Sequence, residues 1–380
     1  MIELPPLAVY VHVPWCIKKC PYCDFNSHQL DTDIPEAQYL EVLQQDLCAD
    51  LPQVQDRKVQ SVFIGGGTPS LFSVWAIESL LQMLSRHLAF SDDVEITLEA
   101  NPGTVEYSKF AGYHAAGINR LSLGVQSFAD QQLQVLGRIH DAAQAKRAID
   151  AIQQAGFSNW NIDLMHGLPG QSVAAAMRDL EFAIASGAPH ISWYQLTIEP
   201  NTAFCSNPPQ LPAEQDLFDI VEQGQALLQE KRLQQYEVSA YALGGAISRH
   251  NLNYWQFGDY LGIGAGAHAK ITDQQGISRY WKTRQPQTYM KAKETKIAGQ
   301  RQLANNELPM EFMLNALRLN QGFDEQLYIK RTGLSLRSCE QTLLALQERG
   351  LLERRQSQYA CSPTGRRFLD DVVTAFLPAR

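Results

Sequence analysis

Three cysteines fall close together near the start of the chain, as Cys16-(x3)-Cys20-(x2)-Cys23. Thiols at such short intervals can hold metal, and the spacing separates the options. A tetrahedral zinc site takes four ligands, and zinc ribbons draw the fourth from a second cysteine pair. No second pair exists here, and His28 is the nearest histidine that could complete such a site. A redox dithiol needs Cys-x-x-Cys ahead of a helix. Cys20 and Cys23 have that spacing, but Cys16 is left without a role. Three thiolates on a 4Fe–4S cluster would leave one iron open to a small-molecule ligand.

The elements that must position this loop are legible as apolar runs. They are Leu7–Val13, Val59–Ile64, Val94–Ala100, Arg120–Val125, Trp160–Met165 and Ile191–Leu196. Between them lie helical patterns at Glu36–Leu51, Trp75–Leu88, Val105–Ala116, Ala142–Ala155 and Val173–Ser186, most of them ending near Gly or Pro. Strands that are apolar throughout and alternate with helices predict an α/β fold with a parallel sheet covered by helices. Six such units fit a partial barrel or a doubly wound sheet, and either one collects functional residues at the C-terminal strand ends. Polar and glycine-rich punctuation falls there: the three cysteines, Gly65-Gly66-Gly67-Thr68-Pro69, Glu99-Ala100-Asn101-Pro102, Gln126-Ser127-Phe128 and His166-Gly167-Leu168-Pro169-Gly170.

Beyond about Pro212 the pattern changes. A helix over Ala213–Lys231 leads to one strand over Tyr236–Tyr241 and a Gly/aromatic-rich stretch from His250 to His268. Gln285–Asn306 is polar and reads as a linker. Three helices follow (Glu311–Leu319, Glu325–Thr332, Leu336–Arg349), then a hairpin of Leu351–Glu353 and Tyr359–Cys361 and a last helix from Pro363, which is a winged-helix order. The expected division is 1–211 for the partial barrel, 212–300 for an extension and linker, and 301–380 for the winged-helix-like tail.

With 32 Lys and Arg against 40 Asp and Glu, the net charge is −8, the opposite of a non-specific nucleic-acid binder. Seven cysteines in 380 residues are too sparse for a disulfide scaffold, and Cys48, Cys205, Cys339 and Cys361 read as ordinary thiols. Residues 1–6 lack the basic-then-apolar pattern of a signal peptide, and no apolar run is long enough to span a bilayer. The expectation is a cytoplasmic protein whose membrane contact is at most peripheral.

Cysteines at this spacing, with Tyr22 just before the last, resemble the defining motif of the radical S-adenosylmethionine superfamily. That resemblance implies a partial (β/α)6 barrel, a 4Fe–4S cluster on Cys16, Cys20 and Cys23, and S-adenosylmethionine bound through its amino and carboxylate groups at the open iron. Gly66, Gly67 and Thr68 resemble the segment that lies along the methionine amino group. Tyr10, Tyr22, Glu99, Gln126, Arg138 and Asp163 resemble the other cofactor-binding residues of one subgroup.

Tyr10-Val-His-Val-Pro-Trp-Cys16, Gly-Gly-Gly-Thr-Pro and Gly-Val-Gln-Ser-Phe together resemble the HemN branch, whose C-terminal domain the tail would match. This branch holds oxygen-independent coproporphyrinogen III oxidases and heme chaperones. The oxidases carry a fourth cysteine two positions after the third, where this chain has Phe25, and a long arm where nine residues precede Tyr10 here. His250-Asn-Leu-Asn-Tyr254-Trp255 is similar to the His-Asn-x-x-Tyr-Trp motif of the chaperones. Imidazole is a standard heme ligand, and Tyr254 and Trp255 offer flat apolar faces to a porphyrin.

The resemblance therefore implies a heme chaperone that passes heme to an acceptor hemoprotein such as a respiratory one. Its cluster would serve as a structural or regulatory switch, including one that promotes a homodimer. The rival is a true decarboxylating oxidase, in which a 5′-deoxyadenosyl radical takes hydrogen from the substrate propionates. A third reading is a DNA-binding regulator using Arg349, Arg354, Arg355, Arg366 and Arg367 around the wing. The acidic balance of the chain argues against it.

Overall fold

In the computed structural model, which describes residues 3–54, 56–103 and 107–378, the six apolar runs are six parallel strands. They are β1 (Leu7–Val13), β2 (Val59–Gly66), β3 (Phe90–Ala100), β4 (Arg120–Gln126), β5 (Trp160–His166) and β6 (His190–Gln195), hydrogen-bonded in that order. The five connections between them carry crossover helices: α1 (Glu36–Asp50), α2 (Val74–His87), α3 (Phe110–Ala116), α4 (Ala142–Gln154) and α5 (Val173–Ala185). Residues 105 and 106 of the third expected helix lie outside the described residues.

The helices begin where local chemistry satisfies their free amide groups. Ser73 caps α2 through Ala76 N–H, and Asp141 and Gln144 form a capping box on α4. The buried face of α2, Ala76, Ile77, Leu80, Leu81 and Leu84, follows the three-to-four-residue repeat. β1 is buried at every position except Tyr10, which is partly open. Burial on both sides is why this strand reads as an unbroken apolar run.

The sheet does not stop at six strands. At the β6 edge, the segment expected as one strand is a tight antiparallel pair, β7 (Gln234–Glu237) and β8 (Ala240–Ala242). At the other edge, β9 (Asp259–Ile263) lies parallel to β1, and β10 (His268–Asp273), β11 (Gly276–Lys282) and β12 (Ile297–Gln302) continue antiparallel to make one twelve-stranded sheet. The expected linker therefore contains a short helix, Pro286–Lys291, and an edge strand. β12 looks polar because most of its side chains face solvent and its hold on β11 is through backbone hydrogen bonds.

Buried ion pairs tie these added strands to the barrel. Lys282 Nζ lies 2.6 Å from Asp46 and 2.7 Å from Asp50 on α1, while Asp259 joins Lys270 at 2.8 Å and Arg57 at 2.7 Å. Removing one partner from such a pair costs about 3–5 kcal/mol, because the other charge is left buried and alone.

The tail is helical, with α6 (Leu308–Ala316), α7 (Glu325–Thr332) and α8 (Glu340–Glu348) packed against a three-stranded sheet of residues 323–324, 352–355 and 358–361. Its core includes Phe312, Phe323, Tyr328, Leu343 and Val372, together with Phe257, which arrives from the barrel two residues after Trp255. The wing arginines are partly engaged: Arg355 pairs with Glu353, Arg354 lies over Tyr359 and Arg367 over Phe218. Among the described residues, no helix is long and apolar enough to cross a membrane.

Candidate functional site

The cysteine loop is clamped at its base. Trp15–Cys16 pairs in parallel with His28–Gln29, His28 N–H donates to Pro14 O at 2.7 Å, and Leu30 N–H donates to Cys16 O at 2.9 Å. Residues 17–27 therefore project from the C-terminal end of β1, with all three thiols free and partly exposed.

Each sulfur has a polar neighbour. Thr68 Oγ1 donates to Cys16 Sγ at 3.5 Å, Arg138 Nη1 reaches Cys20 Sγ at 3.7 Å, and Ser27 Oγ lies 3.6 Å from Cys23 Sγ. Asn101 joins two of these donors, giving its Nδ2 proton to Thr68 Oγ1 at 3.0 Å and accepting from Arg138 Nη2 at 2.5 Å. Among the described residues, no three His, Cys, Asp or Glu side chains converge as they would on a single metal ion. A mononuclear zinc site gathers its ligands on one ion, whereas a 4Fe–4S cluster spreads its thiolates over separate irons.

The glycine segment lies flush against the end of β1. Gly67 N–H donates to Val13 O and Thr68 N–H to Trp15 O, both at 2.7 Å. A Cβ on Gly67 would sit 2.5 Å from Trp15 O. Gly66 has φ of +117°, and a Cβ there would strike the His12 ring at 2.6 Å. The residues thus form a cradle that side chains would fill, and Arg138 Nε is buried beside it without a partner among the described residues. Free thiols, sulfur-directed donors and a bare backbone fit a cluster with an amino-acid-like ligand.

Beside this cradle is a cavity of about 380 Å³. Its buried end is formed by Tyr10, His12, Gly66 and Glu99. The Tyr10 hydroxyl lies 2.9 Å from His12 Nδ1, and His12 Nε2 lies 2.9 Å from Asn26 O. Burial lowers the His12 pKa to about 4, so the ring is neutral. Glu99 accepts Gly66 N–H at 3.0 Å, and burial, then the nearby Asp163, pushes its carboxyl up to about 7. The rest of its wall comes from the segments added beyond the six strands: Tyr254 on the helix Arg249–Trp255, Tyr260 and His268 on β9 and β10, and Arg284 just after β11. Asp24, Phe25 and Asn26 of the cysteine loop close one side, and Asn26 Nδ2 latches that loop to Ala265 O at 2.8 Å and Arg284 O at 2.9 Å.

The structure distributes the other expected residues unevenly. Cys20, Thr68 and Arg138 line a small adjoining hollow with Asn101. Gln126, held at φ of 72°, accepts from the Tyr194 hydroxyl at 2.6 Å and does not line the cavity. Asp163 is bound by Ser122 Oγ at 3.0 Å and Asn161 Nδ2 at 2.8 Å. Tyr22 packs on Phe204 in a small apolar cluster.

His250 lies at the N-terminal end of the short helix Arg249–Trp255 and is 1% exposed. Its Nδ1 lies 3.0 Å from Ser61 Oγ and its Nε2 2.9 Å from the Tyr254 hydroxyl, and burial lowers its pKa to about 3. An axial heme ligand needs a free ring nitrogen facing its metal, and in this arrangement His250 offers none. Of the motif, Tyr254 reaches the cavity, whereas Trp255 lies under Arg318 at 4.3 Å with its Nε1 buried and, among the described residues, unpaired. Sequence reasoning passed over His12, Asn26, His268 and Arg284, and it placed Asn101 at a strand end without giving it a role. Tyr10 and His12 share one strand face by the two-residue repeat, which was a usable signal.

Comparison with known proteins agrees with this geometry. Residues 10–183 match the Radical SAM superfamily and residues 303–368 match the HemN C-terminal domain. The solved coproporphyrinogen III oxidase (HemN) from Escherichia coli superposes with a TM-score of 0.83 over 98% of this chain and 90% of its own. At 22% identity, that likeness shows the fold alone. The fold and site thus define a radical S-adenosylmethionine protein of the HemN type.

Relatives narrow this further. "Heme chaperone HemW" of Haemophilus influenzae is 48% identical, covering 99% of each chain, and that of Escherichia coli (strain K12) is 47% identical over 99% of this chain and 100% of its own. "Radical S-adenosyl methionine domain-containing protein 1, mitochondrial" of Bos taurus is 36% identical over 97% of this chain and 87% of its own. The chain belongs to the HemW family.

Proposed function

We propose that this protein is a heme chaperone that binds heme and delivers it to an acceptor hemoprotein. The observation that carries the reading is end-to-end similarity, near one residue in two, to proteins named heme chaperone HemW. Phe25, standing where the oxidases have a further cysteine, supports it, and so does a cavity walled by tyrosines. Cys16, Cys20 and Cys23 would hold a 4Fe–4S cluster, whose open iron would take the amino and carboxylate groups of S-adenosylmethionine. Gly66 and Gly67 bring bare backbone to that ligand, and Glu99 and Tyr10 present polar atoms at the buried end of the cavity. Thr68 and Arg138 direct protons at the ligand sulfurs, while Tyr22, Gln126 and Asp163 stand behind them as packing and hydrogen-bonding support. In this reading a respiratory hemoprotein is one such acceptor, heme is handled in the cytoplasm with at most peripheral membrane contact, and a homodimer is one form that the cluster promotes.

Hemin titrated into the protein should shift the Soret band and saturate near one equivalent. Absence of any shift would end the reading. Cys16→Ser should lose the broad iron–sulfur absorption, and a full cluster in that variant would refute the ligand assignment.

The second reading, coproporphyrinogen III oxidation, is favoured by one observation: the cluster loop, glycine cradle and barrel are all retained. Anaerobic incubation with coproporphyrinogen and reductant distinguishes the two. The chaperone reading expects no protoporphyrinogen, and robust turnover would overturn it.

A further inference from the structure

Two histidines, His12 and His268, line the cavity beside the cradle, two more, His28 and His250, contact residues that line it, and three of the four are already committed. His12 engages the Tyr10 hydroxyl and Asn26 O, and His250 engages Ser61 and Tyr254. His28 Nε2 lies 3.2 Å from Asn26 Oδ1, and its ring is also bonded by the Arg284 backbone. His268 is different. It is exposed on the cavity rim at the start of β10, and it meets no hydrogen-bond partner on either ring nitrogen among the described residues. Its ring is held by stacking on Trp281 across the β10–β11 pair, with centroids 6.3 Å apart and planes at 27°.

The surroundings of His268 suit one kind of guest. Tyr254 and Tyr260 stand edge to face, 4.6 Å apart, on the same wall. Phe25, 60% exposed, faces in from the cysteine loop, so the cavity presents aromatic surface from two sides. Arg284 adds a cation at the rim. A neutral imidazole, flat apolar walls and an outer guanidinium match a porphyrin whose metal needs an axial nitrogen and whose carboxylates stay near water.

Resting on the heme reading above, we infer that His268, not the motif residue His250, is the side chain that ligates the heme iron, with Arg284 meeting a propionate. Burial and the guanidinium groups of Arg279 and Arg284 lower the His268 pKa, which keeps its lone pair available at neutral pH. His250 then acts one step back, orienting the Tyr254 hydroxyl.

Hemin titration of the full chain with its cluster in place, followed by absorption and EPR, tests this. His268→Ala, exposed and so expected to keep the wild-type melting temperature, should bind hemin about tenfold or more weakly, which is about 1.4 kcal/mol, and lose the nitrogen-ligated signature. Added imidazole should restore that signature. Arg284→Gln should weaken affinity while leaving the signature unchanged. If wild type binds hemin and His268→Ala keeps both affinity and signature, the assignment is overturned while the chaperone reading stands. If a folded His250→Asn variant loses the signature and His268→Ala keeps it, the motif histidine is the ligand and the assignment is overturned. If wild type binds no hemin, both fall together.

Discussion

Arg138 places one guanidinium nitrogen 2.5 Å from Asn101 Oδ1 and the other 3.7 Å from Cys20 Sγ. Asn101 also supports Thr68, whose hydroxyl points at Cys16 Sγ. Two sulfur-directed donors, one just after β2 and one in the connection that follows β4, are thus aligned by one amide. Hydrogen bonds to cluster sulfurs are among the factors that set the reduction potential.

Replacing Asn101 with Leu should therefore leave cluster content near wild type but make the cluster harder to reduce. A tenfold change in the oxidised-to-reduced ratio corresponds to about 59 mV for one electron. Potentiometric titration followed by EPR measures it, and an unchanged midpoint would show that the amide is only structural.

Gly67→Ala meets backbone, not a yielding side chain, because the new Cβ would sit 2.5 Å from Trp15 O. Overpacking of this kind costs about 1–3 kcal/mol. The urea midpoint should fall, and iron content after reconstitution should fall with it, since the displaced strand end carries Cys16.

Glu99 gives a pH signature. Its carboxyl is raised from 4.5 to about 7 in the folded chain, so between those values the native state binds more protons than the unfolded state. Stability from this group is therefore fully present below about 4.5 and is lost as pH rises through about 7. Glu99→Gln keeps an acceptor for Gly66 N–H and should flatten that part of the urea-midpoint profile. A profile that retains the same slope would rule out Glu99 as its source.

His250→Ala removes a ring stacked 5.0 Å from Phe63 and leaves Ser61 Oγ and the Tyr254 hydroxyl without their partner. The expected loss is about 2–4 kcal/mol, read as a lower melting temperature. A variant as stable as wild type would contradict the structural role of this ring.

Much of the barrel was legible because β1, β2 and β4–β6 are buried on both faces, so side-chain type alone marks them. β3 begins earlier than expected because Phe90-Ser-Asp-Asp93 is polar at the exposed end of the strand. The β7–β8 pair was hidden because its turn, Val238-Ser239, carries no glycine or Asn-Gly signal. β12 was hidden because an edge strand needs no apolar alternation. The cysteine loop, glycine cradle and Glu99 followed from residue type and strand-end position. The cavity wall at Tyr260, His268 and Arg284 did not, because it exists only once β9 pairs with β1. The same burial that makes His250 conspicuous in a motif also uses up both of its nitrogens, which residue type cannot reveal.

That pairing also sets a clock on biosynthesis. Leu7 aligns with Asp259 and Val11 with Ile263, so the first strand to leave the ribosome waits for one of the last strands of the barrel. At about 5–20 residues per second the interval is roughly 10–50 s. During it, one long edge of an apolar strand stands unpaired, and such edges recruit foreign strands. A nascent chain of this protein should therefore depend on holding factors until residue 263 has emerged, and chains stalled on the ribosome before and after that point should differ sharply in aggregation.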